Sequence, residues 1–219
     1  MIINLEGIDG SGKSTVANRL LWRLRQRMSL PVYVVKYPEY QSASGQLIRR
    51  ILDNKYHQAI TPEFWSTLCA INRFDSDRHQ LQAAADGQSI AIVDRYVATN
   101  LAYLAANTEG AEQDRLLKHL DKLEHGTFGL PVPDLLVYLD MPVDFAIKNV
   151  AKRDGKLDVY ERDRTLLEKV NAFYRDRLIE YQPTVKSVRI CCVKDNALVE
   201  PERIVDEIVN YIPTRSNNG

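Results

Sequence analysis

Five short apolar runs, separated by stretches with helical spacing, constrain the fold of this 219-residue chain more than any other feature. Each run is nearly continuous in branched and apolar residues, which is typical of strands buried on both faces of a parallel sheet. Because strands that alternate with helices form right-handed βαβ crossovers, the sequence predicts a doubly wound α/β fold. The runs are Ile2–Glu6, Val32–Tyr37, Ser89–Asp94, Leu135–Asp140 and Val188–Val193.

Local signals place several helices between these runs. Proline opens two of them, at Pro62 and Pro201, because its missing N–H is not needed in the first helical turn. We expect one helix over Pro62–Ala85. We also expect a charged helix over Asp114–Glu124, whose polar side chains face solvent.

The composition excludes several classes of function. The 29 Lys and Arg residues balance 29 Asp and Glu residues, so the chain lacks the net charge of a protein that coats nucleic acid or an anionic membrane. No apolar run approaches the ~20 residues of a membrane span, and the N-terminal segment has no signal-peptide pattern. The three cysteines, two of them adjacent, form no disulfide framework. We expect one reduced, cytoplasmic domain over 1–213, followed by a flexible tail over 214–219.

A glycine-rich segment connects the first apolar run to a helix predicted over Lys13–Met28. Gly7–Thr15 matches the phosphate-binding pattern G-x-x-x-x-G-K-[ST] in its required context of strand, loop and helix. The glycines let backbone N–H groups turn toward a phosphate, and the helix N-terminus adds partial positive charge. Lys13 would reach the β- and γ-phosphates, and the Ser14 hydroxyl would ligate Mg²⁺. The segment therefore predicts a nucleoside triphosphate site.

A second charged motif, Asp94-Arg95-Tyr96, ends the third apolar run. In a doubly wound sheet, ligands bind at the carboxyl ends of the strands. There Asp94 could hold the shell of a Mg²⁺ ion, and Arg95 could clamp a phosphate. Alternatively, Asp94 caps the next helix and Arg95 forms a surface ion pair.

Five motifs follow one another along the chain, namely Gly7–Thr15, Tyr37–Tyr40, Asn72–Phe74, Asp94–Tyr103 and Gly155–Glu161. Together they resemble those of the thymidylate kinase (dTMP kinase) family of P-loop nucleoside monophosphate kinases, over about Met1 to Tyr181. The resemblance implies transfer of the γ-phosphoryl group of ATP to dTMP with Mg²⁺, which gives dTDP for dTTP synthesis. It also implies a five-stranded parallel sheet wrapped by helices, an acceptor-binding region over about 37–103, a mobile lid and a homodimer.

The resemblance further implies roles for residues around both phosphates. Lys13 and Ser14 would hold ATP and Mg²⁺, while Asp9 would face the metal and the 3′-hydroxyl of the acceptor sugar. Tyr40 and Arg95 would grip the phosphate of dTMP. The implied ATP-binding residues are Gly7, Asp9, Gly10, Ser11, Gly12, Lys13, Ser14 and Thr15, and the implied metal residues are Ser14, Asp9 and Asp94.

On the nucleoside side, the resemblance implies that Arg73 reads a thymine carbonyl and that Asn100 approaches the other base edge. Tyr103 would pack against the deoxyribose, where a ribose 2′-hydroxyl would collide. The position four residues before the base-reading arginine is usually Phe in the family, but here it is Cys69. Either Trp65, one helical turn earlier, stacks on the base instead, or the base has less aromatic contact and Cys69 is a small apolar residue.

The implied catalytic residues are Lys13, Arg95, Asp9 and an arginine of the lid, which we expect over about 152–163. Some relatives carry a catalytic arginine within the P-loop, but this chain has Ser11 there. Arg153 is therefore the candidate, with Lys156 as the second. Alternatively, Arg153 is a helix-end cation that stabilises the C-terminal dipole.

Two other functions compete with this hypothesis. A deoxynucleoside kinase acting on thymidine needs a carboxylate base for a neutral hydroxyl, and Glu39 follows the second apolar run where such a base could lie. A GTP-binding switch protein should carry Asn-Lys-x-Asp, but Asn54-Lys55 is followed by Tyr56-His57.

Overall fold

The computed structural model describes residues 1–76, 78–152, 163–178 and 184–213. Of the predicted lid, only Lys152 and Asp163 belong to these residues, so Arg153 and Lys156 lie outside them, as does the predicted tail. Among the described residues, no helix is long and apolar enough to cross a membrane.

A five-stranded parallel sheet forms the centre of the fold, as the apolar runs predict. The strand order is β2-β3-β1-β4-β5, and a short antiparallel hairpin of β6 and β7 follows β5. The observed bounds differ from the predicted ones by at most two residues for the five main strands. They are β1 Ile2–Glu6, β2 Val32–Lys36, β3 Ile90–Asp94, β4 Leu135–Asp140, β5 Lys186–Cys191, β6 Val193–Lys194 and β7 Ala197–Leu198.

Helices cover both faces of the sheet and complete the α/β fold. Pro62 and Pro201 stand at helix N-termini, as predicted. The helices are α1 Lys13–Arg27, α2 Ala43–Leu52, α3 Pro62–Asp75, α4 Arg78–Ala85, α5 Val97–Ala106, α6 Gly110–Asp121, α7 Val143–Ala151, α8 Arg164–Asp176 and α9 Pro201–Val209. A π-helical segment, Lys122–Thr127, continues α6.

The three central strands account for the core and fix the position of the site. Every residue of β1, β3 and β4 is buried, because helices pack on both faces of these strands. Burying a large aliphatic side chain contributes about 1.5–3 kcal/mol. The edge strands β2 and β5 contain buried, half-buried and exposed positions instead. The two strands that lead into the charged motifs, β1 and β3, therefore both belong to the buried centre of the sheet.

Two helix predictions were wrong. The helix expected over Pro62–Ala85 is interrupted, because Ser76 has extended backbone (φ −127°, ψ 145°) and its hydroxyl donates to the Asn72 carbonyl. Such a side-chain bond competes with helix continuation. The helix expected over Asp114–Glu124 becomes π-helical after Asp121, and Glu124 is completely buried rather than solvated.

Candidate active site

The carboxyl ends of β1 and β3 lie side by side and bring the two predicted motifs together. Leu5 is in register with Asp94, and the backbone N–H of Arg95 donates to the Leu5 carbonyl at 3.1 Å. The phosphate-binding segment leaves β1, while Asp94 is the last residue of β3. On the other side of β3, Lys36 of β2 is also in register with Asp94. Residues from three strands thus converge at one edge.

The P-loop has the backbone that its glycines predict. Gly10 and Gly12 have φ of 83° and 88°, a region that side chains disfavour. A Cβ on Gly10 would lie 2.2 Å from the Ala146 carbonyl oxygen, so the loop packs directly on α7. The Asn149 amide of α7 also donates to the Gly10 carbonyl at 3.0 Å. These contacts with α7 fix the position of the loop, which leads directly into α1.

Lys13 begins α1 and is buried against the loop. Its ammonium donates to the carbonyls of Gly7 at 2.9 Å and Ile8 at 2.8 Å, and Ser11 is buried beside it. Burial and the positive charge of Arg95 lower the pKa of Lys13 to about 8. The first turn of α1 has no acidic residue, so its N–H groups and partial positive charge are available to an anion.

Ser14 and Asp94 form a corner suited to a hard cation. The Ser14 hydroxyl donates to Asp94 Oδ2 at 2.6 Å and accepts from the Lys36 ammonium at 3.0 Å. Asp94 Oδ1 is buried and accepts no hydrogen bond from the described residues. Mg²⁺ prefers one or two protein oxygens together with phosphate and water ligands. The unpartnered carboxylate oxygen beside a hydroxyl fits that preference, and Ser14 and Thr15 are both exposed.

Arg95 and Asp9 form an ion pair between the two motifs. The guanidinium of Arg95 donates to Asp9 Oδ1, and the Tyr103 hydroxyl donates to Asp9 Oδ2 at 3.0 Å. Burial alone would raise the pKa of Asp9, but the charges of Arg95 and Lys13 outweigh it and lower this pKa to about 2. Arg95 has φ of 70°, which is uncommon for a residue with a side chain and is typical of functional sites.

A buried carboxylate that the sequence did not reveal stabilises the turn that contains Arg95 and Tyr96. Glu6, the last residue of β1, accepts from the backbone N–H of Tyr96 at 2.8 Å and from the Thr99 hydroxyl at 2.5 Å. The Tyr174 hydroxyl of α8 donates to it at 2.8 Å. An acidic residue at the end of a mostly apolar strand was the signal that could have found it.

Arg73 and Asn100, the predicted base readers, meet in a buried cluster with Glu124. Glu124 accepts from Arg73 Nε and Nη2, each at 2.6 Å, and from Asn100 Nδ2 at 2.9 Å. The second Asn100 Nδ2 hydrogen bond goes to the Ser66 carbonyl at 2.8 Å. Glu124 lies seven and four residues after the buried Leu117 and Leu120, a helical spacing that could have revealed it.

Tyr40, Trp65 and Cys69 lie in an apolar cluster formed by α2 and α3. Cys69 is buried there, while Tyr40 and Trp65 are half-buried and pack against the cluster. Burial raises the pKa of the Cys69 thiol to about 12, so it stays protonated at neutral pH. The guanidinium of Arg49 lies 5.5 Å from the centre of the Tyr40 ring. Both residues proposed for base contact, Trp65 and Cys69, thus share one face of α3.

Glu39, the alternative base, is engaged by the backbone. Its two carboxylate oxygens accept from the N–H groups of Gln41 at 2.7 Å and Ser42 at 2.8 Å. The Asn72 side chain also donates to the Glu39 carbonyl at 3.0 Å and accepts from its N–H at 2.8 Å. Glu39 therefore closes the turn before α2, which is a structural use of this carboxylate.

Comparison with known proteins agrees with this geometry. The family model described as thymidylate kinase matches residues 5–190. A thymidylate kinase of Mycobacterium tuberculosis is 31% identical over 183 residues, covering 80% of this chain and 85% of the relative. A probable thymidylate kinase of Pyrococcus horikoshii is 32% identical over 213 residues, covering 96% and 94%.

A solved structure has the same fold. It is a thymidylate kinase from Candida albicans, with a TM-score of 0.68 and 24% identity, and the match covers 96% of this chain and 89% of that one. Four of the five motifs that carried the sequence resemblance lie at the strand ends and helices that bound this site, and the fifth, Gly155–Glu161, lies outside the described residues. The chain belongs to the thymidylate kinase family of ATP-dependent nucleoside monophosphate kinases.

Proposed function

We propose that the chain transfers the γ-phosphoryl group of ATP to the phosphate of dTMP, releasing ADP and dTDP. The observation that carries this proposal is the Arg95–Asp9 pair, which sets a cation beside the phosphate-binding loop. Tyr103, which contacts Asp9, and Asn100, which belongs to the Arg73 cluster, lie one turn apart on α5. One helix therefore links the phosphate end of the site to the base end.

The donor side would hold ATP through the P-loop. A bound phosphate would draw the Lys13 ammonium away from the carbonyls of Gly7 and Ile8, since an anion is a stronger partner than a carbonyl. Backbone N–H groups at the start of α1 would bind the same phosphates. Both contacts remain in place as charge moves during transfer.

Mg²⁺ would be held by Ser14 and Asp94, with Asp9 nearby in the P-loop. When bound, it supplies neutralisation of the charge shared by the β- and γ-phosphates. The Ser14–Asp94 hydrogen bond orients these two side chains toward each other. Asp9 would remain ionised at any physiological pH, because its pKa is about 2.

The acceptor needs orientation more than deprotonation. The attacking oxygen belongs to a phosphate that is already ionised near neutral pH, so alignment and charge neutralisation supply most of the rate. Arg95 would bind that phosphate. The ion pair with Asp9 orients its guanidinium, and the hydrogen bonds to Glu6 fix the turn that contains it. Tyr40 would add a hydroxyl contact, and Tyr103 would pack against the sugar.

The alternative, phosphorylation of thymidine, is not favoured. That reaction requires a base for a neutral 5′-hydroxyl, yet both oxygens of Glu39 already accept backbone hydrogen bonds. Arg95 also supplies positive charge for an acceptor that bears a phosphate. A GTP-binding switch is likewise not favoured, since the family matched over residues 5–190 consists of kinases.

The lid would complete the catalytic site. We assign its catalytic cation to Arg153, with Lys156 second, because the P-loop carries Ser11 rather than arginine. An arginine that closes on the transferred group contributes about 10³–10⁵ in rate in comparable reactions. Closure would also exclude water and so suppress hydrolysis of ATP.

A coupled assay of ADP release tests the function directly. Purified protein, ATP and Mg²⁺ are mixed with dTMP or with thymidine, and we expect rapid turnover of dTMP alone. Lys13→Ala should abolish that turnover while circular dichroism stays unchanged. Turnover of thymidine without turnover of dTMP would refute the assignment.

We further propose that the enzyme works as a cytoplasmic homodimer that binds neither nucleic acid nor membrane. Its partners would be the small molecules ATP and dTMP. Phe64 and Ile71 support the dimer, because these apolar residues lie seven positions apart on α3 and are about two-fifths exposed. Light scattering of the purified protein at micromolar concentration measures its oligomeric state, and a monomer mass would contradict the proposal.

A further inference from the structure

We propose that Glu124 is a positioning residue that fixes the hydrogen-bond polarity of the base pocket. Through Arg73 and Asn100 it makes the pocket accept a pyrimidine with an N3–H donor and a 4-carbonyl acceptor. The same polarity rejects the cytosine type, which has the opposite groups at both positions. This inference rests on the proposed function, since it concerns the base that Arg73 and Asn100 would read.

Both carboxylate oxygens of Glu124 accept hydrogen bonds from Arg73 or Asn100. Oε1 accepts from Arg73 Nη2 at 2.6 Å and from Asn100 Nδ2 at 2.9 Å, and Oε2 accepts from Arg73 Nε at 2.6 Å. Glu124 is fully buried, while Arg73 and Asn100 are 4% and 3% exposed. Water therefore does not compete for these bonds. An ionised carboxylate only accepts, so its partners must present donors to it.

This requirement determines the orientation of the Asn100 amide. Nδ2 has two hydrogens, and its two partners, Glu124 Oε1 and the Ser66 carbonyl, are both acceptors. Rotating the amide by 180° would set its oxygen against two other oxygens and remove both hydrogen bonds that Asn100 donates, which is costly in a buried site. Oδ1 accepts nothing from the described residues and so offers an acceptor to a ligand.

Arg73 complements that acceptor with a donor. Its Nε and Nη2 atoms face Glu124, and among the described residues no acceptor contacts Nη1. The pocket thus presents an acceptor from Asn100 and a donor from Arg73. Thymine and uracil match both through N3–H and O4, whereas cytosine offers an acceptor at N3 and a donor at N4. Sites built to bond one polar group reject analogues without it by about 10⁴–10⁵.

Glu124→Gln is the sharpest variant, because it keeps the shape of the side chain but adds a donor. The Gln amide could donate to Asn100 Oδ1, so that the Ser66 carbonyl would be left to oppose rotation of the Asn100 amide without the Glu124 carboxylate. An amide that turns would offer a donor to cytosine N3. Glu124→Asp keeps the acceptor-only carboxylate and should keep the preference even if turnover falls. Glu112→Gln is the matched control, since Glu112 lies on the surface of α6 and pairs only with Arg115 among the described residues.

The experiment measures kcat/KM for dTMP, dUMP and dCMP with the wild type and the three variants. We expect Glu124→Gln to lower the dTMP-to-dCMP ratio at least tenfold and to leave the dTMP-to-dUMP ratio within about twofold. Glu124→Asp and Glu112→Gln should preserve both ratios. An equal loss for all three acceptors in Glu124→Gln would mean that Glu124 only stabilises the fold, and would overturn the proposal.

The wild type provides a test that does not depend on a variant folding. With dTMP methylated at N3, and with dCMP, we expect kcat/KM at least 100-fold below that of dTMP. Good turnover of either would overturn the fixed polarity. Failure of the proposed function is distinguishable, because it would show as no turnover of dTMP by the wild type. Failure of this inference alone would leave dTMP turnover intact and the acceptor ratios unmoved.

Discussion

Replacing Asp9 with asparagine should destabilise the fold in a pH-dependent way. The charges of Arg95 and Lys13, opposed by burial, lower the Asp9 pKa from 3.8 to about 2 in the folded protein. A depression of that size corresponds to about 2 kcal/mol of stability at pH 7. The Asp9 side chain is 21% exposed, so solvent screening reduces the expected effect to about 1–2 kcal/mol.

The sign of the pH dependence follows from the lowered pKa. The contribution is fully present above the unfolded pKa of 3.8 and is lost as the pH falls through the folded value of about 2. The difference between wild type and Asp9→Asn should therefore be constant from pH 7 to pH 5. At pH 3, roughly half of it should remain.

Urea denaturation, followed by circular dichroism at pH 7, 5 and 3, gives the free energy of unfolding of each protein. Asp206→Asn is the matched control, because its ion pair with Arg23 leaves the Asp206 side chain 58% exposed and should change stability by less than about 0.5 kcal/mol. Equal stability of wild type and Asp9→Asn at pH 7 would refute the reasoning. So would a difference that persists undiminished at pH 3.

Two further predictions concern the P-loop and the lid. Gly10→Ala should destabilise the protein by more than Gly12→Ala, since both positions have positive φ but only at Gly10 would the new methyl meet the Ala146 carbonyl, at 2.2 Å; thermal unfolding of the two variants compares them, and equal losses would contradict the predicted clash. Arg153→Ala should lower kcat far more than it weakens dTMP binding, as expected of a contact made mainly in the transition state. The exposed neighbour Lys152→Ala serves as the control; a rise in KM for dTMP alone would make Arg153 a binding residue.

Buried hydrogen bonds and close packing hold the Arg95 turn and the P-loop in fixed positions. Glu6 ties the Arg95 turn to β1 and α8 through bonds that no solvent reaches. Asn149 and Ala146 hold the P-loop against α7. Removing the Glu6 acceptor would leave several buried donors without partners, and each such donor costs about 1–3 kcal/mol. Preorganisation of this kind lowers the cost of binding two charged substrates next to each other.

Local chemistry was enough to determine much of this protein from its sequence. The three central strands appear as apolar runs because both of their faces are buried. Proline at the first helical position predicted the starts of α3 and α9. The glycine-rich motif predicted the P-loop, in which Gly10 and Gly12 have positive φ. The fold class and the phosphate-binding end of the site follow from such signals, since each depends on residues close together in the chain.

Only the tertiary structure decided the base end of the site. Arg73 and Glu124 are 51 positions apart, and their pairing turns a residue expected on a solvated helix face into a buried acceptor. The break at Ser76 depends likewise on Tyr37, whose hydroxyl donates to the Ser76 carbonyl from 39 positions away. A buried charge or a broken helix is stable only if distant partners replace the hydrogen bonds of water, and those partners meet only in the folded chain.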